Sequence, residues 1–348
     1  MNETMREHQA ETRRTVVALI PAHDEDDQIA DCIAAVRSQA QRVVVVADNC
    51  TDDTEAVASA KGAEVIPTVG NTDKKAGALN QALALLLPEL KDEDCILIVD
   101  ADSFLSPSFV GAALERIEVG YGAVGGNFRG RNGGGLVGTF QRNEYARYAR
   151  DVARLKGRCL VLTGTATLFR VGVLRDVAST RQDGKVYDTE VLTEDNELTL
   201  RLLHLGHRII SPKECTLTTE VMPTWRELAQ QRLRWKRGAL QNLLQYGWTH
   251  VTRRYWGRQL LGLAGVSATF VYLGTLAAAP LTGLHLHPFW LAISGLFALE
   301  RAVTVRERGL RQQLLGAAIV VEMIYDAFLQ LVQARAYADV LLGRGGRW

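Results

Sequence analysis

Two aspartates one residue apart, Asp100 and Asp102, close the apolar run Cys95–Val99. In an extended chain residues i and i+2 point the same way, so both carboxylates can face one site. Such a pair suits Mg2+ or Mn2+, hard ions that take oxygen ligands and often share them with substrate phosphates. An ion held there would offset the charge that builds on a departing nucleoside diphosphate. Taken alone, Asp-x-Asp is a common pattern, and a solvated loop is its plain alternative. Asp48 ends a second apolar run, Arg42–Val46, where it can accept a hydrogen bond from a base or ribose. It can equally be a turn residue ahead of Asn49-Cys50-Thr51-Asp52-Asp53. Lys74 and Lys75 lead into a helical segment containing Asn80. A lysine beside a helix N-terminus can meet a diphosphate, and a solvated lysine is the alternative.

Thr193-Glu194-Asp195 lies in an acidic run with Asp188, Glu190 and Glu197. A reaction in which an alcohol attacks an electrophilic carbon needs one base to take its proton, and a carboxylate within hydrogen-bond reach serves. An acidic helix N-terminus, favoured by the helix dipole, explains the same residues without chemistry. Further on, Gln231 and Arg234 are three residues apart and share a helical face beside Trp235, with Arg232, Lys236 and Arg237 around them. A basic helix of this kind can bind anionic lipid.

The elements that must position these groups follow a regular order. Thr15–Ile20 and Arg42–Val46 read as short buried strands, and Ala63–Pro67 and Cys95–Val99 as a third and a fourth strand. Gln28–Arg37, Thr54–Lys61 and Ala76–Leu87 read as helices between them. This alternation predicts a doubly wound, mostly parallel sheet. Ligands bind such sheets at the carboxyl ends of the strands, where His23, Asp24, Glu25, Asp48, Asn49, Asp100 and Asp102 all fall. Beyond Ser106 the pattern loosens. Gly120–Gly138 is glycine-rich and reads as turn-laden or mobile, Phe140–Leu155 as a helix, Leu160–Phe169 as a strand, and Leu198–Leu205 and Trp225–Tyr246 as helices.

In 348 residues, 40 basic side chains nearly balance 39 acidic ones, which leaves no global field for nucleic acid. Five scattered cysteines without a Cys-x-x-Cys pair argue against a disulfide framework or a zinc site and fit a reducing compartment. Met1–Arg14 is polar and lacks the apolar core of a secretory signal. From Gln259 to Leu299 there is no Asp, Glu, Lys or Arg, a stretch of roughly 40 residues that suffices for two membrane-crossing helices. Pro280–Gly283 offers the turn between them. Arg253, Arg254 and Arg258 precede the stretch, and Arg301, Arg306, Arg308 and Arg311 follow it. The positive-inside rule then places both flanks on the cytoplasmic side. In Leu310–Leu342 a stripe of Glu322, Asp326, Gln330 and Gln333 suits an interfacial or bundle-packed helix better than a lipid-exposed span.

Taken in order, the motifs resemble family 2 glycosyltransferases, in the branch of the cellulose, hyaluronan and poly-N-acetylglucosamine synthases. The resemblance runs from about residue 15 to about residue 240 on Pro21-Ala-His23-Asp-Glu25, Asp48, Lys75-Ala-Gly-Ala-Leu-Asn80, Asp100-Ala-Asp102, Thr163-Gly164-Thr165, Thr193-Glu194-Asp195 and Gln231-Arg-Leu-Arg234-Trp235. It implies a GT-A catalytic domain over residues 15–250 after a polar tail, 1–14. A helical membrane region, 251–348, would follow, with a hairpin at about 259–305 and an amphipathic helix at about 310–342. Pro21, His23, Glu25, Asp48, Lys75, Asp100 and Asp102 would form the donor side. There Asp48 would contact the base, usually uracil, and Asp100 and Asp102 would bind ribose, sugar and the Mg2+ or Mn2+ ion. Asp195 would be the general base with Glu194 beside it. Thr163, Gly164 and Thr165 would border the acceptor. Gln231, Arg234 and Trp235 would line the place where diphosphate and acceptor meet, Arg234 offering a fork to phosphate oxygens.

The expected activity is inverting transfer from a UDP-sugar, or another nucleotide-sugar, to a hydroxyl on a lipid, protein or short glycan, by a catalytic domain on the cytoplasmic face of a membrane. Membrane lipid is an expected partner and a homo-oligomer is compatible. Two or three candidate spans are few for a polysaccharide channel, so a processive synthase is the alternative, with export through an oligomer or a partner subunit. A catalytically inactive nucleotide-binding scaffold would not need Asp195, and a nucleotidyltransferase would not need the Thr193–Asp195 or Gln231–Trp235 segments.

Overall fold

The computed structural model describes residues 14–282 and 288–344, which divide into two compact units interleaved along the chain. The first takes residues up to Phe128, Leu155–Glu190 and Glu194–Glu220. It is built on a seven-stranded sheet in the order β3-β2-β1-β4-β8-β6-β9. Its strands are β1 (Val16–Ala22), β2 (Arg42–Ala47), β3 (Glu64–Pro67), β4 (Cys95–Val99), β6 (Ala123–Gly125), β8 (Ala166–Arg170) and β9 (Ile209–Ile210). The first four pair in parallel, whereas β8 is antiparallel to both β4 and β6. Every residue of β1 and β4 is buried, as a central strand covered on both faces requires, which is why these runs carry no polar alternation. Helices α1 (Ile29–Arg37), α2 (Thr54–Ala60), α3 (Lys74–Leu86), α4 (Phe109–Glu118), α6 (Val171–Ser179) and α7 (Glu194–His204) complete this unit. Leu79 and Leu83 of α3 and Leu198 and Leu202 of α7 pack with Val17, Leu19, Ile96 and Ile98 in one core. A small sheet, β5-β10-β7, lies beside it (β5 Phe104–Leu105, β7 Asn127–Gly130, β10 Thr216–Thr219).

Two expectations change here. The strand predicted over Leu160–Phe169 begins only at Ala166, because the residues before it form an irregular loop that carries Gly164. The glycine-rich stretch is neither all turn nor one element. It holds β6 and β7, then three successive glycines, Gly133–Gly135, with positive φ that only glycine adopts readily, and a helix from Gly135.

The second unit comprises residues 129–154, 191–193 and those from Val221 onward. It contains α5 (Gly135–Arg154), α8 (Trp225–Tyr246), α9 (Arg253–Thr282), α10 (Pro288–Thr304), α11 (Leu310–Ala317) and α12 (Ile319–Leu341). Thr224 caps α8 by accepting from the Glu227 N–H at 3.3 Å, and Gly247, with φ +66°, ends it. Phe140, Leu228 and Tyr325 form an apolar centre, with Phe140 and Tyr325 stacked at 5.0 Å. Helix α9 runs through Pro280, where the sequence predicts a turn, and Gly283 and the rest of the linking segment lie outside the described residues. Among the described residues no single helix is long and apolar enough to cross a membrane. The pair Leu310–Ala317 and Val320–Leu341, bent by 71°, meets that test only jointly. The polar stripe of α12 turns inward: Glu322 is 2% exposed and is held by Arg147 and Arg301 at 3.0 and 2.8 Å.

Candidate active site

The carboxyl ends of β1, β2 and β4 lie along one edge of the parallel sheet. Because β8 is antiparallel to β4, the residues that precede β8 reach the same edge: the Asp100 N–H donates to the Thr165 carbonyl at 3.1 Å. Topology thus brings Thr163, Gly164 and Thr165 beside Asp100, although more than 60 residues separate them. The Thr163 and Thr165 hydroxyls are bonded to each other at 2.9 Å.

Gly164 marks the centre. A Cβ there would lie 2.9 Å from Lys75 Nζ, 3.6 Å from Asp195 Oδ2 and 3.8 Å from Asp100 Oδ2. Lys75, at the start of α3, bonds Asp100 Oδ1 and lies 3.4 Å from Glu194 Oε1. Asp195, in the first turn of α7, accepts from the Gly164 N–H at 3.0 Å and from the Asn196 N–H at 2.7 Å. Gly164 and Asp195 line a cavity together with Ile98, Leu162, Phe169, Leu198 and Tyr187. Burial pushes the Asp195 carboxyl up to about 6, helped by Glu194 and opposed by Lys75 and the two N–H donors. Burial, resisted by Lys75 and helped by Asp102, likewise raises Asp100 to about 6. Burial also works against the charge of Lys75, but Asp100, Glu194 and Asp195 outweigh it and hold the ammonium above the usual lysine range.

Asp100 and Asp102 do not share an extended face as the i, i+2 argument assumes. β4 ends at Val99, and the Ser103 N–H closes a turn on the Asp100 carbonyl at 3.0 Å. The two carboxylates take different partners as a result. Asp100 pairs with Lys75, while Asp102 accepts from the Ser103 and Thr219 hydroxyls at 3.0 and 3.3 Å. Burial raises Asp102, with Glu220 adding to the rise. Glu25, after β1, is pushed to about 7 by burial and then by Asp102, Asp27, Glu220 and Asp100. Glu25 and Asp102 therefore feel each other's charge, with Lys75 as the counter-charge on Asp102, and carboxylate oxygens of this kind suit a hard divalent cation. Among the described residues the set of three acidic or thiol ligand atoms within 4.8 Å of one another is Asp24, Cys50 and Asp52.

Asp48 is 7% exposed, and three donors converge on its Oδ1: Asn71 Nδ2 at 2.7 Å, Asn49 Nδ2 at 3.0 Å and Thr68 Oγ1 at 3.0 Å. His23, exposed after the buried Pro21, sets its Nδ1 2.5 Å from the Asp48 carbonyl. Asn71 is a residue that motif reading passes over. Its amide nitrogen also donates to the Lys74 carbonyl at 2.8 Å, tying Asp48 to the start of α3. Gly77 makes room for it, since a Cβ there would fall 2.0 Å from Asn71 Oδ1. Asp24, Asn49 and Lys74, each adjoining one of Glu25, Asp48 and Lys75, have φ between 52° and 54°. Left-handed backbone at non-glycine residues is costly and gathers at functional sites. Asn80 brackets Tyr187, donating to its carbonyl at 2.8 Å and accepting from its N–H at 2.9 Å.

Gln231, Arg234 and Trp235 belong to α8 in the second unit, where Arg234 is exposed. The buried residue of that motif is Arg232, 2% exposed. It donates to Gln231 Oε1 at 2.6 Å and Glu144 Oε2 at 2.9 Å, and its guanidinium sits 4.3 Å from the Trp235 ring centre. Gln231 and Trp235 thus flank a buried arginine that the motif does not single out.

A family profile described as "Glycosyltransferase like family 2" matches residues 13–238, the span that holds both the strand-edge residues and the α8 motif. The chain belongs to glycosyltransferase family 2. Among relatives, the poly-β-1,6-N-acetyl-D-glucosamine synthase of Staphylococcus aureus (strain MSSA476) is 26% identical over 276 residues, 74% of this chain and 64% of that protein. The synthase of the same name from Staphylococcus epidermidis is 26% identical over 268 residues, 73% of this chain and 62% of its own length. This family 2 enzyme therefore spans less than two thirds of those relatives. A mannosyltransferase from Pyrobaculum calidifontis, solved in complex with GDP-Man and Mn2+, shares the fold over 89% of this chain and 88% of its own, with a TM-score of 0.59 and 19% identity. The fold is GT-A, as the strand order and the motif sequence imply.

Proposed function

We propose that this family 2 enzyme is an inverting, cation-dependent transferase that moves a sugar from a UDP-sugar, or another nucleotide-sugar, to a hydroxyl of a lipid, protein or short glycan. The observation that carries the reading is the gathering of Lys75, Asp100, Glu194 and Asp195 around Gly164. Asp48, with Oδ1 saturated by three donors, would hold the base through Oδ2. Lys75 would lie beside the diphosphate. Asp102 would hold Mg2+ or Mn2+, with Asp100 beside it; when bound, the ion would neutralise charge on the leaving diphosphate. Asp195, raised toward neutrality by burial, has the proton affinity a general base needs near neutral pH. It takes the proton from the acceptor hydroxyl as that oxygen attacks the anomeric carbon from the face opposite the leaving group. Gly164 and Asn196 N–H groups fix the carboxylate meanwhile.

Lipid association of the 251–348 region, with the catalytic residues on the cytoplasmic face, belongs to the same proposal. Leu260, Leu261, Phe270 and Val271 of α9 are 53–74% exposed, close in sequence to the exposed Arg253, Arg254 and Arg258. A second reading, processive polymer synthesis, is favoured by the names of the staphylococcal relatives.

A screen of UDP- and GDP-sugars for nucleotide release, with purified protein and membranes, tests the reading, and product length separates single transfer from polymerisation. Asp195→Asn should lower kcat by about 10²–10⁴-fold while UDP binding stays nearly intact. Full activity in that variant removes Asp195 as the base, and product retaining the donor's anomeric configuration removes inversion.

A further inference from the structure

The glycine-rich stretch before α5 and the turn after α10 have no part in the transfer chemistry. Both carry arginines of the second unit, where Arg and Lys outnumber Asp and Glu by more than two to one. Most buried arginines there have carboxylates. Arg147 and Arg301 share Glu322, Arg301 also holds Asp326 at 2.5 Å, and Arg232 holds Glu144. Arg142 and Arg308 differ: among the described residues neither has a carboxylate within ion-pair distance.

Arg142, half-buried on α5, directs its guanidinium to neutral oxygens, the carbonyls of Arg131 at 3.1 Å and Gly133 at 2.6 Å and the Thr139 hydroxyl at 2.8 Å. The glycines give it a seat. A Cβ at Gly130 would come within 2.7 Å of Arg142 Cγ, and one at Gly138 within 3.1 Å of its Nη1. Arg308, also half-buried, donates to the amide oxygen of Asn143, whose Nδ2 donates in turn to Glu322 at 3.3 Å. The carboxylate therefore reaches Arg308 only through a neutral amide. Arg308 is thus bonded to the residue that follows Arg142 on α5. In keeping with that placement, burial and then the Arg142 charge lower Arg308 to about 10, while burial lowers Arg142 as well. Two like charges kept partly out of water without a counter-charge are costly unless an anion completes them.

We propose that Arg142 and Arg308 together bind a phosphate monoester or inorganic phosphate. Their charge matches a dianion, and guanidinium forks meet phosphate oxygens two at a time. The phosphate can be borne by a lipid headgroup or be free in solution, and the experiment separates these sources. The full chain is titrated with inorganic phosphate, and with sodium chloride of equal ionic strength, while binding heat and thermal unfolding are followed. Phosphate should raise the unfolding temperature beyond the chloride control. Arg142→Gln and Arg308→Gln should each weaken the dissociation constant about tenfold or more. Arg335→Gln, which alters an arginine 72% exposed on α12, should leave it unchanged. If Arg308→Gln does not fold, Arg308→Lys, which keeps the charge and loses the fork, should give a partial loss. In the lipid arm, phosphatidylcholine vesicles with or without phosphatidate are sedimented with each protein. Arg308-dependent capture by phosphatidate without a response to free phosphate assigns a lipid-borne group, and the converse assigns a soluble one. Equal responses to phosphate and chloride, together with phosphatidate binding unchanged in both Gln variants, overturn the proposal. So does an Arg335→Gln loss as large as theirs.

Discussion

Gly164→Ala probes the proposed site with one methyl group. Gly164 is outside the left-handed region, so alanine imposes no backbone strain. The new Cβ would sit 2.9 Å from Lys75 Nζ, and ordinary contact begins at 3.4 Å. The ammonium must therefore retreat by roughly 0.5 Å. Since Nζ ends a flexible side chain, the fold should accommodate this within about 1 kcal/mol, or about 2–4 °C in Tm. The site is less tolerant. Stretching the 3.4 Å Lys75–Glu194 pair by that amount costs about 0.6 kcal/mol at an effective dielectric near 20. The same methyl comes into ordinary contact with Asp195 Oδ2 at 3.6 Å, where the acceptor proton would be taken, and so occupies space beside it. A misplacement of about 1 Å can cost about a hundredfold in rate, so kcat/KM should fall about 10- to 100-fold. The assay is nucleotide release under saturating and limiting donor, with thermal unfolding measured on the same preparation. Wild-type kcat/KM in Gly164→Ala would show that the reacting groups do not meet at Gly164. Activity lost in proportion to a large drop in Tm would show that the glycine serves the fold instead.

Asp195 must be ionised to act, so kcat/KM should fall with unit slope below about pH 6 and be flat above it; an acid limb near the ordinary Asp value of 3.8 would refute its assignment. Its raised pKa also means that the folded state binds the proton more tightly, so stability should decline as pH rises from about 4 to about 6. Asp195→Asn should remove its own share and leave a shallower decline from Asp100 and Glu25, which are raised over the same range, as thermal unfolding across it will show. Arg181→Met removes the arginine bonded to Glu197, which is fully buried and also lies 3.8 Å from Arg201. It should cost about 3–5 kcal/mol in denaturant unfolding, and adding Glu197→Gln should restore most of the loss; no recovery would refute the pair as the cause. Gly77→Ala should force Asn71 off Asp48 and raise KM for the donor more than it lowers kcat, and an unchanged KM would count against Asp48 as a donor residue.

β1, β2 and β4 were legible because each carries an apolar run ended by a polar residue, and burial on both faces leaves no other composition. β3, at the sheet edge with exposed ends, was legible from its place in the alternation with helices. The polar residues at the strand ends were legible as a cluster because strand ends are where such a sheet exposes side chains. What lay beyond Ser106 was not. α4 and α6 are short helices of nine or ten residues whose signal merges with the strands beside them. β8 reverses direction, and that reversal is set by pairing with β4 and β6 across more than 40 residues of chain, not by any local pattern. Asn71 escaped because a buried asparagine in a Gly-Asn-Thr-Asp turn looks like turn chemistry. Its role depends on Gly77 six residues later, an absence of side chain that only coordinates reveal. Arg232 escaped because helical spacing places Gln231 with Arg234, while burial selects the arginine between them.

The charges in the first unit argue for the order in which a donor is held. Glu25, Asp100, Asp102 and Asp195 are raised first by burial and then by neighbouring carboxylates, Glu194 and Glu220 among them, and Lys75 is the cation that offsets the charge at Asp100, Asp102 and Asp195. Lys75 is already committed to Asp100 and Glu194. A nucleoside diphosphate brings further negative charge to this edge, and one committed ammonium cannot offset both. The proposed dependence on a divalent cation therefore follows from the resting electrostatics and not only from the Asp100–Asp102 motif. Removing a carboxylate that would hold the cation, as in Asp102→Ala, lowers the repulsion and also the cation affinity, so the variant should bind UDP with little response to Mg2+ or EDTA. Removing Lys75 leaves the repulsion and the cation ligands in place and should make UDP binding more, not less, dependent on the ion. Opposite changes in cation dependence from two residues facing one cleft are what an electrostatic counterweight demands, and a purely structural role for either residue would not produce them.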